Sequence, residues 1–322
     1  MEKAVEGYDI IGDIHGHADA LKALLEKMDY RHNGQYYTHP TRTAIFLGDF
    51  IDRGPKQRDV INIVMPMEKS GAAMSVMANH EFNALCYHTA NPDKPGEWLR
   101  PRNKKNTGQH QAFLDEYLTS DKTEELQAAL AWFKTLPLWI EIDGIRIVHA
   151  CWHEESIEAL KLQLGPNNTI TDELLVKASV KGSSEYNAVE VLLKGWEVRL
   201  DDGVSFQDKD GNERHEVRTK WWLKERTLLK EAAIAEPDII KALPESEWLD
   251  PDKFIGYDES EPPLFLGHYW LIGEPKPLEH NIACLDYSVA KEGKLVAYRW
   301  DEEKSLTPNG FYWVGKQDLE EG

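Results

Sequence analysis

Two periods alternate along the first 90 residues. Apolar runs of strand length occupy Tyr8 to Gly12, Thr43 to Gly48 and Ala73 to Met77. Between them, Leu21, Leu24, Leu25 and Met28 follow the i, i+3, i+4, i+7 spacing of an amphipathic helix, as do Val60, Ile63, Val64 and Met67. Pro66 sits near the end of the second helical stretch, where a helix is about to stop. This alternation predicts a sheet with helices on its faces, because each element must bury its apolar side against another.

The rhythm breaks between about residues 90 and 135. Asn91 to Arg102 is rich in proline and charge and reads as a loop, while Phe113, Leu114, Tyr117 and Leu118, then Leu126, Leu130 and Phe133, predict two helices over the core. Asp143-Gly144 between Leu138 to Ile142 and Ile145 to His149 is a hairpin signal. Residues 155–260 carry charge, helical stretches and Trp196, Trp221, Trp222 and Trp248. They read as a helical elaboration, either a lid or a packing subdomain. Strand character returns at Leu264 to Gly267, Ile282 to Leu285 and Leu295 to Trp300, the last two joined by a turn at Glu292-Gly293.

Composition narrows the class. A 322-residue chain with 41% hydrophobic residues can bury a large core. Its formal charge of -19 opposes general affinity for nucleic acid or an anionic membrane. Three cysteines, Cys86, Cys151 and Cys284, form no closed disulfide set and no Cys-x-x-Cys pair, which favours a reducing compartment. The start of the chain lacks the pattern of a signal peptide, and no apolar run has membrane-spanning length. A cytoplasmic protein is expected.

The chemistry lies directly after the strand-like runs. Gly12-Asp13-Ile14-His15-Gly16 follows the first, Gly48-Asp49-Phe50-Ile51-Asp52-Arg53-Gly54 the second, and Asn79-His80-Glu81 the third. In an extended backbone Asp13 and His15 point the same way and could grip one divalent ion. A polar turn capping the next helix is the plainer alternative. Parallel strands carry functional groups at their carboxyl ends, so Asp49 could meet Asp13 and His15 there and bridge two ions. Asn79 would add a neutral oxygen. His149 and His268 close two later strand candidates, Ile-Arg-Ile-Val-His and Leu-Phe-Leu-Gly-His. Nitrogen and oxygen donors without thiolate suit Mn²⁺, Fe or Zn²⁺. Two such ions, about 3.5–4 Å apart, would hold a bridging hydroxide and polarise a phosphoryl group. His80 could protonate a leaving oxygen with Asp52 orienting it, or be a structural histidine. Arg53 could hold phosphate oxygens, or form a surface ion pair.

At these residues the chain resembles the calcineurin-like metallophosphoesterases, in the branch of serine/threonine phosphoprotein phosphatases and bacterial diadenosine tetraphosphatases. The signatures Gly-Asp-x-His-Gly, Gly-Asp-x-x-Asp-Arg-Gly and Gly-Asn-His-Glu correspond to Gly12 to Gly16, Gly48 to Gly54 and Ala78 to Glu81. The resemblance implies an α/β (α+β) four-layer sandwich with two mixed β-sheets flanked by helices. The chain reads as a single domain, 1–322, carrying 155–260 as an insertion to which the resemblance does not extend. The resemblance implies Asp13, His15 and Asp49 on one metal, and Asp49, Asn79, His149 and His268 on the other. His80 would be the general acid, partnered by Asp52.

Two departures stand out. Met77 occupies the place of a phosphate-clamping arginine, as an apolar residue does in bacterial dinucleotide phosphatases, and Tyr269 follows Gly-His where threonine is common. Arg199 or Arg218 from the insertion could replace the clamp. The expected activity is a Mn²⁺-dependent phosphatase for phosphomonoesters, small-molecule or phosphoprotein. The alternative is a dinucleoside polyphosphate or nucleotide hydrolase. A silent binding protein on the same fold would have lost some ligand, and none is missing.

Overall fold

Gly7–Ile11 forms β1, every residue of which is buried, as expected for a strand covered on both faces. A computed structural model describes residues 6–118, 123–200, 205–207, 213–235 and 237–320. Helix α1 (Ala18–Lys27), β2 (Arg42–Phe46), α2 (Gln57–Lys69) and β3 (Ala73–Ser75) follow in the predicted alternation. Strands β1, β2 and β3 are parallel neighbours. Helix α3 (Asn79–His88) then starts directly at the third motif. Helices α4 (Lys104–Tyr117) and α5 (Thr123–Phe133) are the pair that the apolar spacing predicts, and Asn103 caps α4 by accepting from the Asn106 N–H at 2.9 Å.

Asp143 and Gly144 both have positive φ, 47° and 83°, as a two-residue hairpin turn requires. They join β4 (Trp139–Ile142) to β5 (Ile145–Val148). Beyond β5, helices α6 (Glu154–Lys161), α7 (Asp172–Ala178) and α8 (Ser184–Lys194) precede the return strands. These are β6 (Leu264–Leu266), β7 (Ile282–Cys284), β8 (Asp286–Tyr287), β9 (Lys294–Trp300) and β10 (Phe311–Gly315).

Two mixed sheets result. One runs β8-β9-β1-β2-β3 with β10 also on β9, and the other runs β7-β6-β5-β4. One core cluster joins their facing sides: Tyr8, Ile10, Ile45, Val296 and Tyr298 from the first, and Ile145, Ile147, Phe265 and Ala283 from the second. The turn at Glu292-Gly293 does not join β7 to β9 directly. β7 is parallel to β6 in the second sheet, Leu285 crosses over, and β8 pairs antiparallel with the start of β9. One residue between two strands is enough to change sheets, and apolar spacing carries no mark of that step.

The chain divides into two compact units, one running to Leu193 and resuming at Pro262, the other spanning Lys194–Glu261. Helices α6 and α7 therefore belong to the first unit. Among its described residues the second carries short antiparallel pairs beside its short helices, for instance Glu197–Arg199 with Glu216–Arg218. The physical reason is the polar–apolar–polar alternation of both segments, which buries Val198 and Val217 on one face. Arg199 and Arg218 lie on this pair, with Arg218 Nη2 3.6 Å from Glu197. Trp221 and Trp222 are buried edge to face, 5.6 Å apart, so they serve as packing.

Candidate metal centre

The loops after β1 and β2 are tied together by backbone. The Ile14 and His15 N–H groups both donate to the Asp49 carbonyl, at 3.1 and 2.7 Å. His15 has φ 46° and Asp49 φ 49°, and Asp52, Arg53 and His268 also lie at 68°, 72° and 72°. Non-glycine residues enter this left-handed region rarely and at a cost, and such strain gathers where function needs it. The extended backbone expected to align Asp13 with His15 is therefore absent. β1 ends at Ile11, and His15 sits in a left-handed turn that faces its Nε2 toward Asp49 instead.

Asp49 sits at the middle. Its Oδ2 lies 3.4 Å from His15 Nε2 and 3.6 Å from His149 Nε2. Asn79 Oδ1 lies 3.1 Å from His149 Nε2 and 2.9 Å from His268 Nδ1. Asp13 joins from the other side, its Oδ2 accepting from the His268 backbone N–H at 3.0 Å. Two buried triads thus share Asp49: His15, Asp49 and His80, and Asp49, His149 and His268.

Tautomers can be read from the partners. His15 Nδ1 faces the Ile51 carbonyl at 3.0 Å and His149 Nδ1 faces the Leu47 carbonyl at 2.8 Å. A carbonyl only accepts, so each Nδ1 carries the proton and each Nε2 turns its lone pair inward, the arrangement of a metal-ligating histidine. Asp13 Oδ1 and His15 Nε2 are buried without a hydrogen-bond partner. Unsatisfied buried polar atoms are rare in native proteins. Burial and the nearby Asp286 and Asp49 push the Asp13 carboxyl well above its ordinary range, and burial lowers His15 to about 3. Burial also acts to raise Asp49, yet the His80, His149 and His15 imidazoles outweigh it and hold that carboxylate low. Converging carboxylates with inward imidazole lone pairs are the donor set that divalent cations fill, so these residues fit the metals that the sequence suggests.

Glycine makes room for this. A Cβ at Gly267 would fall 2.1 Å from Asp13 Oδ1. Gly267→Ala is expected to push Asp13 aside and lower bound metal, measured by elemental analysis, with the circular dichroism spectrum unchanged.

Several supporting groups were not assigned a role from sequence. The Glu81 carboxylate accepts from the Asp49 and Phe50 N–H groups, both at 2.9 Å, and so fixes the loop carrying Asp49. Burial, then Asp49, raises Glu81 to about 8. Its place in Asn-His-Glu was the available signal. Asp286, at the sheet crossing, accepts from the Trp270 N–H at 2.7 Å and the Ser288 N–H at 3.0 Å, and burial raises it to about 6. No motif marks it. Trp270 lies 5.7 Å from the His15 ring and carries the Arg53 guanidinium 4.2 Å and the Lys291 ammonium 4.6 Å from its ring centre. Met77 is fully buried, its N–H bonded to the Pro137 carbonyl at 2.7 Å, so that position faces the core.

His80 opens α3, and its Nδ1 lies 2.5 Å from Asp52 Oδ2. The other oxygen of Asp52 accepts from His110 Nδ1 at 2.8 Å. Burial acts to raise Asp52, and the bonds from His110 and His80 overcome it and keep it a carboxylate. Burial acts to lower His80, but Asp49 and Asp52 raise it overall.

Mixed sheets meeting at a centre of aspartates, histidines and an asparagine define a class of metal-dependent phosphoesterases. A calcineurin-like phosphoesterase profile matches residues 8–199, more than half of the chain, and the chain belongs to that family. Among curated proteins, the bis(5'-nucleosyl)-tetraphosphatase PrpE (asymmetrical) of Bacillus velezensis is 33% identical over 133 residues, covering 41% of this chain and 50% of the relative. Its counterpart in Halalkalibacterium halodurans is 43% identical over 74 residues, 23% of this chain and 30% of the relative. The chain thus spans about half or less of the length of the curated relatives it matches. A serine/threonine protein phosphatase from Saccharomyces cerevisiae, described as similar to human phosphatase PP5, superimposes with a TM-score of 0.51 at 12% identity. That match covers 97% of this chain and 80% of the yeast protein, and bears on fold alone. Among the described residues, no helix is long and apolar enough to cross a membrane.

Proposed function

We propose that this chain hydrolyses phosphomonoesters at a two-metal centre. The observation that carries the proposal is the Asp49 carboxylate placed between the inward-facing Nε2 atoms of His15 and His149, 3.4 and 3.6 Å away. Asp13, His15 and Asp49 would hold one ion, and Asp49, Asn79, His149 and His268 the other. Mn²⁺ is the first choice, with Fe or Zn²⁺ as alternatives, because the donors are nitrogen and oxygen only. When bound, such ions supply a nucleophile at neutral pH and neutralise phosphoryl charge.

The chain's own residues do the rest. Asp52 holds His80 by its Nδ1 proton, so that His80 can carry a second proton on Nε2 and hand it to the departing oxygen. Arg53, exposed and laid over Trp270, can turn its guanidinium to the phosphate oxygens. The buried thiols of Cys86, Cys151 and Cys284 fit a reducing setting, and the cytoplasm is the proposed location.

A second reading, hydrolysis of dinucleoside polyphosphates, is favoured by the names of the curated relatives and by Met77, which leaves that position without a cationic clamp. The Arg53 and Lys291 cations on Trp270 could then receive the extra phosphates. The two readings separate in one experiment. Mn²⁺-loaded protein is offered a phosphoserine and phosphotyrosine peptide mixture beside diadenosine tetraphosphate, and products are resolved by chromatography. Faster phosphate release from the peptides is the expected result. Faster cleavage of the dinucleotide would replace the phosphomonoester reading with the second.

A further inference from the structure

His110 lies on α4, outside every motif, and is buried. Its ring is stacked on Phe113 with centroids 4.7 Å apart, and Tyr87 lies 5.2 Å away. Its Nδ1 meets Asp52 Oδ1 at 2.8 Å, while Asp52 Oδ2 meets His80 Nδ1 at 2.5 Å. On its far side, His110 Nε2 lies 3.3 Å from His88 Nε2. The chain His80–Asp52–His110–His88 therefore begins and ends on α3, with the middle links supplied by the second motif loop and by α4.

The protons along this chain follow from the acceptors. Asp52 is a carboxylate and can only accept, so both His80 and His110 donate to it from Nδ1. On the far side, the Nε2 atoms of His110 and His88 lie close enough to share one proton. Burial, then His110 and Arg102, lower His88 to about 4, which keeps that ring neutral. Without His110, Asp52 Oδ1 would be a buried carboxylate oxygen with one donor fewer, free to rotate away from His80.

We propose that His110 is a positioning residue for the leaving-group proton: it locks the rotamer of Asp52, and through Asp52 the aim of the His80 ring. The inference rests on the role of His80 given under the proposed function. It explains why α4, which carries none of the ligands, supplies a buried polar side chain at this point.

The test uses full-length Mn²⁺-loaded protein and two aryl phosphates, phenyl phosphate with a poor leaving group and 2,4-dinitrophenyl phosphate with a good one. His110→Phe keeps an aromatic ring against Phe113 but removes the donor. His110→Asn places an amide N–H where Nδ1 stood. His110→Phe is expected to lower kcat for phenyl phosphate roughly tenfold to a hundredfold, the loss typical of a missing hydrogen bond to a charged group. The rate with 2,4-dinitrophenyl phosphate should stay within about threefold, because that leaving group needs no proton. His110→Asn should recover most of the loss. In the diamagnetic Zn²⁺-loaded protein, the low-field proton resonance of the His80–Asp52 bond should also shift in His110→Phe and return in His110→Asn.

Equal losses with both substrates would make His110 a packing residue and overturn the inference. His80→Asn is measured alongside. If it shows the leaving-group dependence and His110→Phe does not, the inference alone fails. If His80→Asn shows none, the general-acid reading fails and takes this inference with it.

Discussion

Asp49→Asn is expected to remove bound metal and hydrolytic activity together. The substitution is nearly isosteric, and its local effect can be traced atom by atom. Asp49 Oδ1 accepts the His80 backbone N–H at 3.1 Å, a bond that an asparagine carbonyl can keep. The amide nitrogen would then occupy the place of Oδ2, 3.4 Å from His15 Nε2 and 3.6 Å from His149 Nε2. An NH₂ group there donates to one imidazole and offers no lone pair to a cation. Both triads lose their common carboxylate at once. The check is elemental analysis and phosphatase assay on one preparation, with circular dichroism to show that the fold is retained. Retained activity would end the assignment of Asp49 as the shared ligand, and loss of one ion with the other kept would confine it to a single site.

His80→Ala should slow the reaction about 10²- to 10⁴-fold with a poor leaving group, the usual contribution of a positioned acid. The prediction has a built-in rival. His80 also lies in a triad with His15 and Asp49, its ring 4.9 Å from that of His15, so it could bind metal instead. A ligand would take metal content down with it, whereas an acid would leave metal content intact and spare a substrate with a good leaving group. The bond to Asp52 favours the acid, because it raises the proton affinity of the ring. An unchanged rate on phenyl phosphate would remove His80 from the mechanism.

The ligand candidates were readable in the sequence because each follows a strand, and strand ends are marked by short apolar runs closing on Gly, Asp or His. Asp13, Asp49, His149 and His268 follow this rule, Asn79 comes after a run closing on Ala78, and all come together. The supporting groups follow no local rule. Asp286 lies one residue after a sheet crossing at Leu285, and His110 looks like any polar residue on an amphipathic helix until α4 is docked. Spacing encodes which face of an element is buried, but not which partner lies opposite. Residues 155–260 were the least legible, and within them strands of two or three residues are too short to establish a period.

Strand β1 pairs with β9 across nearly the whole chain, Tyr8 with Trp300, while Asp13 waits for the backbone of His268. A ribosome delivers these partners in the wrong order. At about 5–20 residues per second, roughly 15 to 60 s separate the emergence of Tyr8 from that of Trp300. Through that interval one edge of β1 is open to pairing with another chain. The donor set proposed for the second ion is therefore completed only once His268 has emerged, and this edge of β1 is covered only when β9 follows.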